Sequence, residues 1–397
     1  MKWSLVAIAA LASASIAADP KTGASTRPDP HSYATFDYTS GKSRLRLVVP
    51  EGLDTIRGLL VVAPFSGGDT RDFHKEVWYR EFLHLHGFAF LGADWTGSHD
   101  ERFKVYQAAI ERFAKDAKRP ELKNVPYAAT GFSAGGGFAS KLVSELPDRV
   151  IAAAIVGSRL NLPLVADAHR GVPILVLNGE HEDNGMAKAV APLLERNRPK
   201  GALWGWMAIP GLGHERDSQE VVAMALLDAA VRLRYPTDAD VRNGPVKLKS
   251  LDPASGWLAD NTTWTSGLTR IAPARDFKGD LGQTSWLPNE DLAFAYRALV
   301  SYDRPLSIAS PRNTADNART QVWDAGGQAS ITVDDSKFAG WTTLSLYDGS
   351  KKVAELKSGK AEFVVQLKEG FHVFTALGTD AKGRVRTSEP ILVTVRR

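Results

Sequence analysis

The chain has no cysteine among its 397 residues. Disulfide frameworks, thiolate metal sites and cysteine nucleophiles are therefore excluded, and the fold must rest on its own cores. A strong excess of one charge is also missing. The formal net charge is +4, and the Lys and Arg residues are scattered rather than blocked. Such a balance offers no polybasic surface, so neither a nucleic-acid partner nor an electrostatic membrane surface is expected. Beyond the N-terminus, no stretch approaches the ~18 uninterrupted apolar residues of a membrane-spanning helix. No internal repeat is visible, and no low-complexity tract follows residue 34.

What is present describes an ordinary globular protein, 44% hydrophobic and 24% charged, long enough to require more than one core. Lys2 precedes an apolar run from Leu5 to Leu11, and Ser15-Ile16-Ala17 supplies small residues at the −3 and −1 positions of a cleavage site. Residues 1–17 thus read as a secretory signal peptide cut after Ala17. An exported chain without disulfides suits a bacterial periplasm or exterior. Residues 18–34, rich in Pro, Thr, Ser and Asp, read as a mobile leader.

Over residues 35–242 strand-like and helix-like segments alternate. Gly58 to Ala63 is a continuous apolar run, as a strand buried on both faces requires. Similar runs recur at Phe88 to Gly92, Tyr127 to Thr130, Ile151 to Val156, Pro173 to Leu177 and Leu203 to Ile209. Between them, Phe103, Tyr106, Ile110 and Phe113 form one helical stripe, and Val222, Leu226, Ala229 and Leu233 form another before Pro236. The alternation predicts an α/β unit with a mostly parallel sheet flanked by helices. Residues 243–303 read as an irregular extension carrying Trp257, Trp264 and Trp286, packed on that unit. Residues 304–397 show short strands separated by turns such as Tyr347-Asp348-Gly349, which predicts a small antiparallel β-sandwich.

The chemistry concentrates in three loops. Gly131-Phe132-Ser133-Ala134-Gly135 matches G-x-S-x-G between an apolar strand and a helix-compatible stretch. In that setting Ser133 sits on a sharp turn where neighbouring side chains would clash, and is the candidate nucleophile. Gly211-Leu212-Gly213-His214 follows the last core strand and offers His214 as general base, with the two glycines expected to let the loop turn sharply. The run Asn178-Gly179-Glu180-His181-Glu182-Asp183 supplies the third member. A G-x-x-D spacing selects Glu182, with Asp183 the alternative, while Glu180 is expected to point back along its strand. Two backbone amides should hold the oxyanion: Ala134, and Ser66 or alternatively Phe65 in the Pro64 to Gly68 loop.

These loops resemble those of the α/β-hydrolase superfamily over roughly Ser43 to Pro236. Within it the chain is similar to secreted bacterial esterases of the dienelactone-hydrolase and polyhydroxybutyrate-depolymerase-like type. Glu182 followed by Asp183 departs from the single Asp of most members. The tail, with Gly370-Phe371-His372 and Thr379 to Gly383, resembles a bacterial immunoglobulin-like module. The resemblance implies a serine carboxylic-ester hydrolase acting through an acyl-enzyme, on a small or polymeric ester, with no cofactor and no metal. A secreted peptidase or amidase, and a non-catalytic polymer-binding protein on a hydrolase scaffold, are the alternatives.

Other patterns read more plainly. His84 and His86 are two apart on a helix and do not face one another. His99 and Asp100 fall in Ser98-His99-Asp100-Glu101, which fits a helix capping box better than an active-site rim. Trp204 and Trp206 flank Gly205 on one strand, so both should face the same side, in the core. Packing is also the expected use of the extension's tryptophans, in preference to stacking on carbohydrate.

Overall fold

The computed structural model describes residues 32–162, 164–182, 185–216, 218–309, 320–324, 328–338 and 340–396. The expected signal peptide and nearly all of the leader lie outside these residues. The first strand, β1 (Tyr33–Ser40), begins two residues inside the stretch assigned to the leader.

The first unit runs β1, β2 (Ser43–Pro50), β3 (Gly58–Ala63), α1 (Val77–His86), β4 (Phe88–Asp94), α2 (His99–Asp116), β5 (Tyr127–Phe132) and α3 (Ala134–Glu145). It continues with β6 (Val150–Val156), the short α4 (Asp167–Arg170), β7 (Ile174–Gly179), α5 (Met186–Asn197), β8 (Trp204–Ile209) and α6 (Gln219–Arg234). The eight strands form one sheet in the order β1-β2-β4-β3-β5-β6-β7-β8. β1, β2 and β4 pair antiparallel, and every pair from β4 through β8 is parallel.

Burial follows position in the sheet. Every residue of β3, β6 and β7 is buried, because helices cover both faces there. At the edge, β1 alternates between half-buried and exposed positions. Helices α3 and α6 both pack on β5 and β6, α2 packs on α3, and α1 packs on α6. Helix α2 starts as the sequence reads: the Glu101 amide donates to Ser98 Oγ, and the Ser98 amide donates to Glu101 Oε2. No helix among the described residues is long and apolar enough to cross a membrane.

The segment expected to be irregular is not. It holds a small antiparallel sheet of β9 (Trp257–Asp260), β10 (Ile271–Pro273) and β11 (Thr284–Leu287), ordered β10-β9-β11, and an 11-residue helix, α7 (Glu290–Val300). β11 and α7 both pack on β8, and α7 also packs on α6. The strands are three or four residues long, too short to show a period in sequence.

The C-terminal strands are β12 (Ser307–Ala309), β13 (Thr320–Asp324), β14 (Gln328–Asp334), β15 (Trp341–Asp348), β16 (Lys351–Leu356), β17 (Glu362–Gln366), β18 (Gly370–Asp380), β19 (Val385–Thr387) and β20 (Ile391–Arg396). They form two sheets, β12-β14-β17 and β13-β20-β18-β15-β16, with β19 added on β18. Ile331, Val333, Phe363 and Val365 of the first share a core with Leu344, Leu346, Phe374 and Val393 of the second. The expected antiparallel pairing does not hold throughout: β13 runs parallel to β20, and Leu306 and Ser388 form a parallel bridge.

Candidate active site

Ser133 occupies the single residue between β5 and α3, with φ 57° and ψ −118°. A side-chain-bearing residue at positive φ costs about 1–3 kcal/mol and persists only where its surroundings over-determine it. They do so here. The Ser133 amide donates to the Val156 carbonyl at 2.8 Å, and its own carbonyl accepts from the Gly137 amide at 3.2 Å. The flanking glycines are dictated by contact. A Cβ on Gly135 would stand 2.1 Å from the Ala63 carbonyl oxygen, and one on Gly131 would stand 2.5 Å from the Gly135 backbone. The G-x-S-x-G spacing is thus the imprint of β3, β5 and the start of α3 crossing without room for side chains.

His214 reaches this turn from the loop after β8. Its Nε2 lies 3.0 Å from Ser133 Oγ, and its ring lies against Phe132 with centroids 4.8 Å apart. Of the two glycines before it, only Gly211 adopts a left-handed conformation, with φ 76°. Gly213 has no positive φ, and a Cβ there would meet nothing within 4 Å, so the expected need for both glycines holds for Gly211 alone.

The acid loop lies directly beneath. A Cβ on Gly179 would stand 2.2 Å from the Gly213 carbonyl oxygen, so only glycine lets the two loops cross. The His181 amide donates to the Leu212 carbonyl at 2.9 Å, and the Gly211 amide donates to Glu180 Oε2 at 3.0 Å. The Tyr302 hydroxyl donates to Glu180 Oε1, and this bond leads in holding the Glu180 carboxyl below the usual carboxylate range. Glu180 therefore anchors the histidine loop rather than facing the imidazole.

Glu182 is the acid beneath His214. Its side chain is buried, and Oε1 lies 3.7 Å from His214 Nδ1. That is longer than a hydrogen bond. The same oxygen accepts the Gly179 amide at 3.2 Å, and Oε2 accepts Asn178 Nδ2 at 3.0 Å. Asp183 lies outside the described residues.

Ala134 is the first residue of α3, where backbone amides have no partner within the helix. The loop after β3 folds against it: a Cβ on Gly135 would also come within 3.0 Å of the Pro64 carbonyl oxygen. The Gly68 amide closes a turn on the Phe65 carbonyl at 3.0 Å. Among the described residues, the amides of Phe65, Ser66 and Ala134 make no hydrogen bond. The Phe65 ring is partly exposed and meets Phe132 edge-on at 6.2 Å.

Three features here escape a reading of the sequence. Asn178 is fully buried and ties Glu182 to the Ser158 carbonyl, donating to it at 3.1 Å. Trp206 donates its indole N–H to Asn178 Oδ1 at 3.1 Å. Arg216, two residues past the histidine, donates to Glu76 and Glu220 and lies over the Phe73 ring, 4.7 Å from its centroid. Burial works against its charge, but Glu220, Tyr79 and Glu76 around it outweigh that effect and raise its pKa.

The remaining candidates take structural places. His84 Nε2 pairs with the Tyr33 hydroxyl at 2.8 Å, and His86 Nε2 pairs with Asp228 at 2.9 Å, so the two do not converge. No group of three His, Asp or Glu side chains among the described residues is disposed to hold a metal ion. The His99 ring lies over α3, with Nε2 2.5 Å from where a Gly137 Cβ would sit. Trp204 and Trp286 are buried, while Trp257 and Trp264 are half-buried against the main core.

No protein-family model and no curated protein matches the chain. Among solved structures it is similar to a thermostable esterase at 16% identity and a TM-score of 0.36, over 45% of this chain and 54% of that one. It is similar to S-formylglutathione hydrolase from Staphylococcus aureus at 11% identity and a TM-score of 0.38, over 52% of this chain and 98% of that one. A feruloyl esterase module from Clostridium thermocellum is similar at 12% identity and a TM-score of 0.35, over 51% of this chain and 89% of that one.

Proposed function

We propose that the chain is a serine hydrolase that cleaves carboxylic esters through an acyl-enzyme. The observation that carries this reading is the 3.0 Å approach of His214 Nε2 to Ser133 Oγ on a strained strand-to-helix turn. His214 takes the Ser133 proton as Oγ attacks the ester carbonyl, and returns it to the departing alcohol oxygen. Glu182, 3.7 Å from Nδ1, draws in the Nδ1–H as the imidazolium forms, which favours the tautomer whose Nε2 lone pair faces the serine. Ala134, with Ser66 or Phe65, donates to the alkoxide, each donor contributing about 3 kcal/mol to the transition state. Water then attacks the acyl-serine with His214 again as base.

The same reading makes the protein a secreted one, with residues 304–397 as an immunoglobulin-like module. The test is turnover of p-nitrophenyl esters from acetyl to long-chain acyl by wild type and His214→Ala. Hydrolysis lost in the variant supports the proposal. A folded wild type that hydrolyses amides but no ester would replace it with the amidase reading.

A further inference from the structure

The Glu182 carboxylate is held by a chain of donors that runs away from the serine into the 257–296 segment. An indole N–H can only donate, so the Asn178 oxygen must face Trp206. The Asn178 NH₂ group is then turned to two acceptors, the Ser158 carbonyl at 3.1 Å and Glu182 Oε2 at 3.0 Å. Every bond in this array has one possible direction: from Trp206 to the Asn178 oxygen, and from the Asn178 NH₂ to the Ser158 carbonyl and the Glu182 carboxylate. Asn178 and Glu182 are buried, where a half-satisfied polar group costs more than an apolar one.

Trp206 is in turn gripped from outside the sheet. It lies on β8, the edge strand, and its backbone polar groups on the open side are met by a side chain. The Trp206 amide donates to Ser285 Oγ at 2.9 Å, and the Trp206 carbonyl accepts from the Ser285 hydroxyl at 2.7 Å. The Tyr296 hydroxyl, buried on α7, donates to the same carbonyl at 2.5 Å. The Trp264 ring meets the Trp206 indole edge-on, centroids 5.2 Å apart. Backbone, ring and indole N–H of one residue are thus each held by a different contact.

We propose that Asn178 and Trp206 are positioning residues for Glu182, and that Trp264, Ser285 and Tyr296 hold Trp206 in that role. This rests on the serine-hydrolase reading above. Among the described residues, Asn178 is the only side chain hydrogen-bonded to Glu182, so losing it leaves the carboxylate on the Gly179 amide alone and free to pivot from Nδ1. The extension is then part of the catalytic architecture rather than a spacer between the two larger units.

The experiment compares wild type, Trp206→Phe, Asn178→Asp and Ser285→Ala on a neutral p-nitrophenyl ester. The active fraction is first titrated with a fluorophosphonate, so that losses of folded enzyme are removed from kcat. Trp206→Phe keeps an aromatic ring but removes the N–H together with part of the indole, so any packing loss is read separately in the active fraction. Its kcat is expected to fall about 10-fold or more with KM nearly unchanged, since small misplacements of catalytic groups cost that much. Asn178→Asp keeps the acceptor for Trp206 but sets a second carboxylate against Glu182. Two such groups retain a proton between them, so the acidic limb of its kcat/KM profile moves to higher pH. Ser285→Ala, remote from the triad, is expected to lower kcat per active site by a smaller factor.

Wild-type kcat per active site and an unmoved acidic limb in all three variants would overturn the proposal. Losses that vanish on correcting for active fraction would also overturn it, since that is what a merely structural role produces. An active wild type separates these results from failure of the functional reading. A wild type inert to both probe and ester would remove that reading, and this proposal with it.

Discussion

The Gly135 backbone passes so close to Ala63 that a Cβ on Gly135 would lie 2.1 Å from the Ala63 carbonyl oxygen. The obstacle is backbone on a fully buried strand and cannot swing aside. Gly135→Ala is therefore expected to cost about 1–3 kcal/mol or more of stability and to displace Ser133. Gly213→Ala meets open space and should change stability by less than about 0.5 kcal/mol. Thermal melts of the two variants check the contrast.

Glu182→Gln should leave the fold intact and lower kcat by about 10²- to 10⁴-fold with little change in KM. The amide preserves shape but must set its NH₂ either against the Asn178 NH₂ or against the Gly179 amide and His214 Nδ1. Steady-state kinetics on a neutral ester check it. A kcat within about twofold of wild type would move the role of the acid elsewhere, to Asp183 first.

Arg216 fixes the stretch immediately after His214. It joins Glu76 and Glu220, and Tyr79 donates to Glu220 at 3.1 Å. Arg216→Ala leaves the buried Glu220 and the half-buried Glu76 without their cation, at an expected cost of about 3 kcal/mol. Denaturant unfolding measures it. Loss of stability with the neutral double variant Glu76→Gln, Glu220→Gln partly restoring it would locate the cost in the uncompensated charges.

His372 pairs with Asp348 at 2.7 Å between β18 and β15, and although burial alone would lower its pKa, the bond to Asp348 leads the effects that raise it above the usual imidazole value. A raised folded-state pKa means that protonation favours the fold. The contribution is fully present below about pH 6.5 and is lost as pH rises through the higher folded value. Asp348→Asn should therefore lower Tm at about pH 5.5 more than at about pH 9. Equal losses at both values would show that the pair's charge is not what stabilises it.

The candidate site is legible in sequence where local contacts force residue identity. Gly131 is demanded by the Gly135 backbone one turn on, and Gly135 by the Ala63 backbone of the neighbouring strand, so the strand-to-helix turn carries its own signature. Gly211 and Gly179 mark the crossing of two loops, and they point to His214 and Glu182. Asn178 and Trp206 cannot be read this way. Their contact depends on β7 and β8 lying side by side with Asn178 opposite Ala208, a register set by the whole sheet. An Asn ending an apolar run reads simply as the start of a turn. The extension reads as irregular for a related reason. Its strands are short and pack on β8 and α7, without a pattern of their own. Helix α7 does bury a stripe of Leu292, Ala295, Tyr296 and Leu299, but the surrounding Gly, Pro and Asn obscure it.

The most direct test of the central claim is labelling of the purified protein with a fluorophosphonate probe, wild type beside Ser133→Ala. An activated serine reacts at its Oγ only because a base stands ready to take the proton. Strong labelling of the wild type that disappears in Ser133→Ala, with both proteins folded, is the predicted result. A folded wild type that takes up no label, or a variant that labels equally, would contradict it.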